Sequence, residues 1–277
     1  MIFSLCVLYN SNFNNKLLDL RSDFNELIIF DNSNKTEYLS YNEKICKKNN
    51  IKYITFKKNL GLSYAYNYIS KNILKNDDFI LLLDADTNIE STYLEMVHDS
   101  IINDRKEVYI PISIDKKTMQ ISSPLIINKK RFKLKRYIFW NEESDNDFDY
   151  FMGINNGTVI SYQALKEINF FDERIKVYFT DLYLFTSLYR KNIKTKVIKY
   201  KNYCDFSFTT NDCEYLVKRL KFLKIDAKAY YKWRYEDCKV FKYFWRLHYL
   251  FYKYKKSIEC SRQTNSKYRY FFKFFFC

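Results

Sequence analysis

The first ninety residues alternate short apolar runs with segments of helical periodicity, and this alternation limits the possible folds more than any other feature. Ile2–Tyr9 reads as a buried strand that ends at the polar stretch Asn10-Ser11-Asn12. Lys16–Phe24 has helical spacing through Leu17, Leu20 and Phe24. Glu26–Phe30 is a second strand, stopped by Asp31-Asn32-Ser33-Asn34. Thr36–Lys48 reads as a helix and Ile51–Phe56 as a third strand. Gly61–Leu74 is a helix with Leu62, Ala65, Tyr66, Ile69 and Ile73 on its apolar side. Phe79–Leu83 is a fourth strand, cut short at Asp84-Ala85-Asp86, and Ser91 opens the next helix. Buried strands separated by helices predict an α/β fold, a mostly parallel sheet covered on both faces. Ligands of such sheets sit at the carboxyl ends of the strands. That selects Asn10, Asp31, Asn59, Asp84 and Asp86 as places for chemistry.

Beyond this stretch, Val108–Ile127 reads as short strands, residues 141–147 as an acidic loop, and the chain after Cys204 as helical. With 277 residues there is room for one large domain and an appendage. Charge marks the division. Residues 215–277 hold 17 Lys and Arg against 4 Asp and Glu, which accounts for almost all of the net charge of +15. The body is therefore near neutral and the tail strongly basic. An aromatic content of 20% excludes disorder over most of the chain, and with only 3 Gly each glycine is informative. The 7 cysteines form no C-x-x-C pair and are odd in number, so neither a disulfide framework nor a zinc knuckle is expected, and a reducing compartment fits. The N-terminus lacks a basic region and a cleavage site for export. No apolar run approaches the ~20 residues of a membrane-spanning helix. The expected location is cytoplasmic.

Asp84-Ala85-Asp86 is the sharpest local signal. Two carboxylates around a small residue at a strand end suit Mg²⁺ or Mn²⁺, with a diphosphate completing the ligand set. The plain alternative is a solvated strand-to-helix turn in which Asp86 or Thr87 caps the next helix. Asn59-Leu60-Gly61 joins a strand to a helix whose N-terminal amides suit an anion, although a helix start alone would look the same.

In order and spacing, four motifs resemble family 2 glycosyltransferases of the GT-A fold, in particular the bacterial polysaccharide branch that includes rhamnosyltransferases. They are Val7-Leu8-Tyr9-Asn10, Asp31-Asn32-Ser33-Asn34, the run from Asn59 to Asn67, and the run from Leu81 to Thr87. The resemblance covers roughly residues 1–210, leaving 211–277 as a basic, amphipathic helical extension. It implies a Rossmann-like, mostly parallel mixed sheet flanked by helices. It also implies an inverting, metal-assisted transfer of a hexosyl or deoxyhexosyl group from a nucleotide-diphosphate sugar to a glycan.

Residue by residue, the resemblance places Tyr9, Asn10 and Asp31 at the donor nucleotide. Asn59, Gly61 and Ala65 shape the donor-phosphate side. Asp84 approaches the donor ribose or a metal-bound water, and Asp86 ligates the cation. Gly153-Ile154-Asn155-Asn156-Gly157 looks like the loop beside the donor sugar, so Asn156 and Gly157 join the donor set; a simple hairpin connection is the alternative. Phe170-Phe171-Asp172-Glu173 followed by Val177-Tyr178-Phe179-Thr180-Asp181 resembles the block that carries the general base, here Asp181, which could also act as a helix cap. Three positions depart from the family pattern. Thr180 and Tyr183 stand where acidic residues are common. Cys204-Asp205 stands where a His-Asp pair often contributes to the metal, so Asp205 is a candidate substitute ligand.

In the tail, Phe241, Phe244, Trp245, His248 and Phe251-Tyr252 recur at helical spacing, with Lys242, Arg246, Lys253 and Lys256 expected on the opposite side. Such a helix suits an anionic membrane surface, which would place the protein at the inner face of the membrane beside a lipid-linked saccharide acceptor. Packing on the main domain is the alternative. A nucleic-acid partner is not expected, because the near-neutral body shows no basic groove. A protein that keeps the fold and binds nucleotide sugars without turnover is the competing function, supported by Thr180, Tyr183 and Cys204. A basic-tailed nucleic-acid binder is the third.

Overall fold

The computed structural model describes residues 1–127, 137–139, 151–205, 213–238 and 240–263. The acidic stretch 141–147, the segment 206–207 and the aromatic tip 268–277 lie outside these. The elements in chain order are β1 (Ile2–Leu8), β2 (Asn25–Asp31), α1 (Thr36–Lys48), β3 (Lys52–Thr55), α2 (Leu62–Asn72), β4 (Phe79–Asp84), α3 (Ser91–Asn103) and β5 (Val108–Asp115). There follow β6 (Ile121–Ser123), β7 (Leu125–Ile127), β8 (Tyr137–Phe139), β9 (Phe151–Met152), β10 (Val159–Ser161), α4 (Tyr162–Glu167), α5 (Thr180–Arg190), β11 (Thr195–Cys204), α6 (Cys213–Arg234) and α7 (Trp245–Gln263).

The main sheet runs β11-β5-β10-β4-β1-β2-β3, with β6 added on β5. β1 pairs in parallel with both β2 and β4, β2 with β3, and β5 with β11. All seven residues of β1 are buried, as a central parallel strand covered on both faces requires. Its one polar side chain, Ser4, donates to Asn25 Oδ1 at 2.9 Å. β10 is the reversed member, antiparallel to β4 and β5. A separate small sheet, β8-β7-β9, is antiparallel.

The segment expected to be a helix at Lys16–Phe24 is instead a 3₁₀ turn at Asn15–Leu20. Asn14 caps it by accepting from Lys16 N at 3.1 Å, and its buried residues, Leu17 and Leu20, enter the core. A longer helix would collide with the next strand, because Ile2 N already bonds Phe24 O at 2.9 Å.

The chain divides into two compact units. The first is Met1–Phe171 with Asp181–Asp205; the second is Asp172–Thr180 with Phe206–Cys277. Asp172–Thr180 groups with the second unit. In that unit α7 packs on α6, and a disulfide joins Cys213 to Cys260. The sequence spacing supports no disulfide framework, and this one bond is not marked by it. The two are 47 positions apart, and only the pairing of two helices brings their Cα atoms to 5.7 Å.

The tail's polarity is also corrected. Trp245, Tyr249, Lys253, Lys256 and Cys260 form the buried face of α7, while Phe244, Leu247, Leu250, Phe251 and Tyr254 are exposed. Lys256 is buried because its ammonium meets Glu259 at 2.6 Å, and Lys253 lies over the Tyr249 ring at 5.1 Å.

Candidate active site

The carboxyl ends of β1 and β2 carry a tightly bonded polar floor. Asp31 is fully buried. One oxygen accepts from Ser33 N at 2.9 Å, and the other from Asn42 Nδ2 at 2.8 Å and Tyr53 Oη at 2.9 Å. Its carboxylate is committed inward, so it braces this end of the sheet. Asn10 adopts a left-handed φ of 46° and accepts from Asn34 N and Lys35 N through its side chain. Tyr9 beside it is 49% exposed. Asn32, which the sequence does not single out, links this loop to the next: it donates to Gly61 O at 3.1 Å and accepts from Leu60 N at 3.2 Å.

Asn59 accepts from Gly61 N at 2.9 Å and closes the turn into α2. Gly61 caps the helix at φ 92°, a conformation that disfavours any side chain. Ala65 is fully buried, so it shapes this side only from beneath.

The acidic turn after β4 is built into a chain of hydrogen bonds. Thr87 Oγ1 accepts from Asp84 N at 2.9 Å and donates to Asn156 Oδ1 at 2.6 Å. Asn156 Nδ2 in turn reaches Cys204 Sγ at 3.7 Å. The β4 end, the 153–157 loop and the β11 end therefore converge. The hairpin alternative fails for that loop, because β9 pairs with β7 and β10 with β4 and β5. Gly157, at φ 90°, donates to Leu82 O at 2.8 Å and accepts from Tyr93 Oη at 2.6 Å.

Asp84 is half-buried and Asp86 exposed. Both charges act on the Cys6 and Cys204 thiols, whose pKa values rise chiefly from burial and then from these carboxylates; that of Cys204 is pushed up to about 12. Cys204 is thus held neutral and unsuited to a hard cation. Asp205, the candidate third ligand, instead pairs with Lys116 at 2.9 Å. Among the described residues no group of three metal-ligating side chains forms. Two carboxylates and no more fit Mg²⁺ or Mn²⁺ shared with substrate phosphates rather than a closed protein cage.

Asp181 opens α5, where it accepts from Leu182 N at 2.8 Å. Burial pushes its carboxyl above the usual range, against the amides of Leu182 and of its own backbone. Tyr66 on α2 connects it electrostatically to the acidic turn. Among the described residues the buried Tyr66 hydroxyl has no hydrogen-bond partner, and its pKa rises first through burial, then through the charges of Asp84 and Asp181. Asn67 clamps the same region by donating to Phe171 O and accepting from Phe171 N, both at 2.9 Å. Tyr66 and Asn67 close the motif that begins at Asn59, but the sequence assigns neither a role, since their partners are distant. Thr180 and Tyr183 have structural work in place of an acid: Thr180 Oγ1 donates to Val177 O at 3.2 Å, and Tyr183 Oη to Phe170 O at 3.2 Å.

Residues 11–159, more than half of the chain, match the sequence profile described as glycosyl transferase family 2. Comparison with curated protein sequences finds no match. Among solved structures, S. aureus TarS 1-349 in complex with UDP is 17% identical at a TM-score of 0.52, covering 82% of this chain and 64% of TarS 1-349. The TarS 1-349 complex with UDP-GlcNAc is 16% identical at a TM-score of 0.52, covering 82% and 66%. GalNAc-T7 with UDP, GalNAc and Mn²⁺ is 12% identical at a TM-score of 0.53, covering 74% and 43%. The chain thus spans under two thirds of these proteins, and at such identity the likeness establishes the fold.

Proposed function

The chain belongs to glycosyl transferase family 2, and on that premise we propose that it moves a sugar, with inversion, from a nucleotide-diphosphate sugar to a glycan hydroxyl. The observation that carries the reading is the convergence of the β4 end with Asp84, the 153–157 loop and the β11 end through Thr87, Asn156 and Cys204. In the reaction, the Asp181 carboxylate takes the proton of the acceptor hydroxyl as that oxygen bonds to the anomeric carbon. The bond from this carbon to the diphosphate oxygen breaks, and its electron pair leaves with the nucleotide diphosphate. Attack opposite to the leaving group inverts the carbon. Asp84 and Asp86 would hold Mg²⁺ or Mn²⁺, which when bound supplies positive charge against the departing diphosphate. Tyr9, Asn10 and the Asn59–Gly61 turn border the nucleotide and phosphates, braced from below by Asp31 and Asn32. The uridine-diphosphate ligands of TarS and GalNAc-T7 make a uridine-diphosphate sugar the first donor to try.

Asp181→Asn tests the reading: turnover falls by about 10²–10⁴ while donor binding persists. Near-normal turnover in that variant removes Asp181 as the base.

The acceptor is a lipid-linked saccharide, and the second unit works at an anionic membrane surface. The exposed Phe244, Leu247, Leu250, Phe251 and Tyr254 support this, with Arg246 and Lys255 exposed among them. Replacing Leu247 and Phe251 by Glu should release the protein from sedimenting phosphatidylglycerol vesicles; unchanged partitioning refutes the membrane role.

A further inference from the structure

The second unit contains a buried carboxylate that the transfer chemistry does not use. Asp226 lies on α6 and is 1% exposed. It accepts three consecutive backbone amides: Lys176 N at 2.9 Å on one oxygen, Val177 N at 2.9 Å and Tyr178 N at 2.8 Å on the other. Burying a carboxylate carries a large desolvation cost, so this group is there for the strand of amides that it grips. α6 holds the same segment a second time, one helical turn further on. There Tyr230 stacks on Phe179, with ring centroids at 5.2 Å and planes at 23°. Phe179 has a φ of 64°, a left-handed conformation that an aromatic residue keeps only under constraint. Thr180 then ties back to Val177 O, and the next residue is Asp181.

Between the last amide gripped by Asp226 and Asp181 stand only Phe179, held in a strained turn, and Thr180, bonded backwards. That leaves no slack. We propose that Asp226 is a positioning residue for the transfer: by fixing the amides of Lys176, Val177 and Tyr178, it determines where the Asp181 carboxylate stands. The inference rests on Asp181 being the base.

The test uses the full chain with Mn²⁺ and whichever of a panel of UDP-, GDP- and dTDP-sugars the wild type turns over. Asp226→Asn keeps one accepting oxygen but replaces the other, which serves two amides, or turns the amide the opposite way and loses the third. Its kcat should fall by about 100-fold, as for a reacting group displaced by an ångström. The donor KM should stay within about twofold, because the donor side is untouched. The double variant with Asp181→Asn should be no slower than Asp181→Asn alone, since a residue acting through the base has nothing left to position. A folded Asp226→Asn protein with wild-type kcat, or losses that multiply in the double variant, overturns the proposal. If Asp226→Asn does not fold, Tyr230→Leu removes the second hold on the same segment and should show the same kcat-selective loss; an unchanged kcat there overturns it equally. Near-normal turnover of Asp181→Asn is a different failure, that of the base, and absence of wild-type turnover with every donor is the failure of the transferase reading itself.

Discussion

Replacing Thr87 by Val keeps the shape of a 2%-exposed side chain and deletes one hydroxyl. That hydroxyl closes two hydrogen bonds, at 2.9 Å from Asp84 N and 2.6 Å to Asn156 Oδ1. The loss leaves a backbone donor and a buried amide oxygen without these partners, at about 1–3 kcal/mol each, so about 4 kcal/mol in total. The backbone bond from Thr87 N to Asp84 O at 3.1 Å is unaffected, so the turn loosens without unravelling. Thr87→Ser retains both bonds and deletes a methyl, for about 1 kcal/mol. Urea unfolding followed by circular dichroism separates these cases. A second measurement concerns the site: Asp84 and Asp86 flank this turn, and loss of an outer support for cation ligands weakens binding by about 10–100-fold. Titration calorimetry with Mn²⁺ and UDP reads that directly. If Thr87→Val matches Thr87→Ser in stability to within about 0.5 kcal/mol and binds Mn²⁺–UDP normally, the hydrogen-bond chain from Asp84 to Cys204 does not organise the acidic turn.

Gly157→Ala places a Cβ at 2.7 Å from Pro111 Cγ and 3.1 Å from Ile89 Cδ1 at a φ of 90°. The left-handed strain of about 1–2 kcal/mol and the crowding of about 1–3 kcal/mol give a loss that equilibrium unfolding should detect, and a wild-type midpoint contradicts the packing described. The raised Asp181 pKa has a defined sign for catalysis. Its carboxyl stays protonated, and unable to accept a proton, to a higher pH than an ordinary aspartate. The acid limb of kcat should therefore lie at higher pH than an ordinary aspartate would give, and it should vanish from the residual activity of Asp181→Asn; a limb that persists there belongs to another group.

Much of the sheet was readable from local pattern. The helix read at Thr36–Lys48 is α1 with both ends in place, and the run stopped by Asp84-Ala85-Asp86 is β4. Period and polarity act over a few residues, and these elements depend on nothing else. The acidic turn and Asp181 are singled out by a spacing that resembles a known family. The remainder depends on partners far along the chain: Thr87 with Asn156 at a separation of 69, Asn67 with Phe171 at 104, Asp226 with Lys176 at 50. Asn67 closes a recognisable motif, but its partner does not show in it, and nothing in the neighbourhood of Asp226 marks that residue, because a carboxylate on a helix reads as surface. The reversed faces of α7 have the same origin. Periodicity locates an apolar stripe, but the contact with α6 decided which stripe was buried.

The single reversed strand has an architectural consequence. Parallel strands such as β1, β2 and β4 deliver the loops that leave them to the ligand edge of the sheet. β10 runs the other way, between β4 and β5, so it delivers the loop that enters it, and with it Asn156 and Gly157. After Asp115 the chain adds β6 to β5, and it re-enters the sheet between β4 and β5 at Val159. Changes in the loop that enters β10 therefore bear on the same edge of the sheet as changes in the loops that leave β1, β2 and β4.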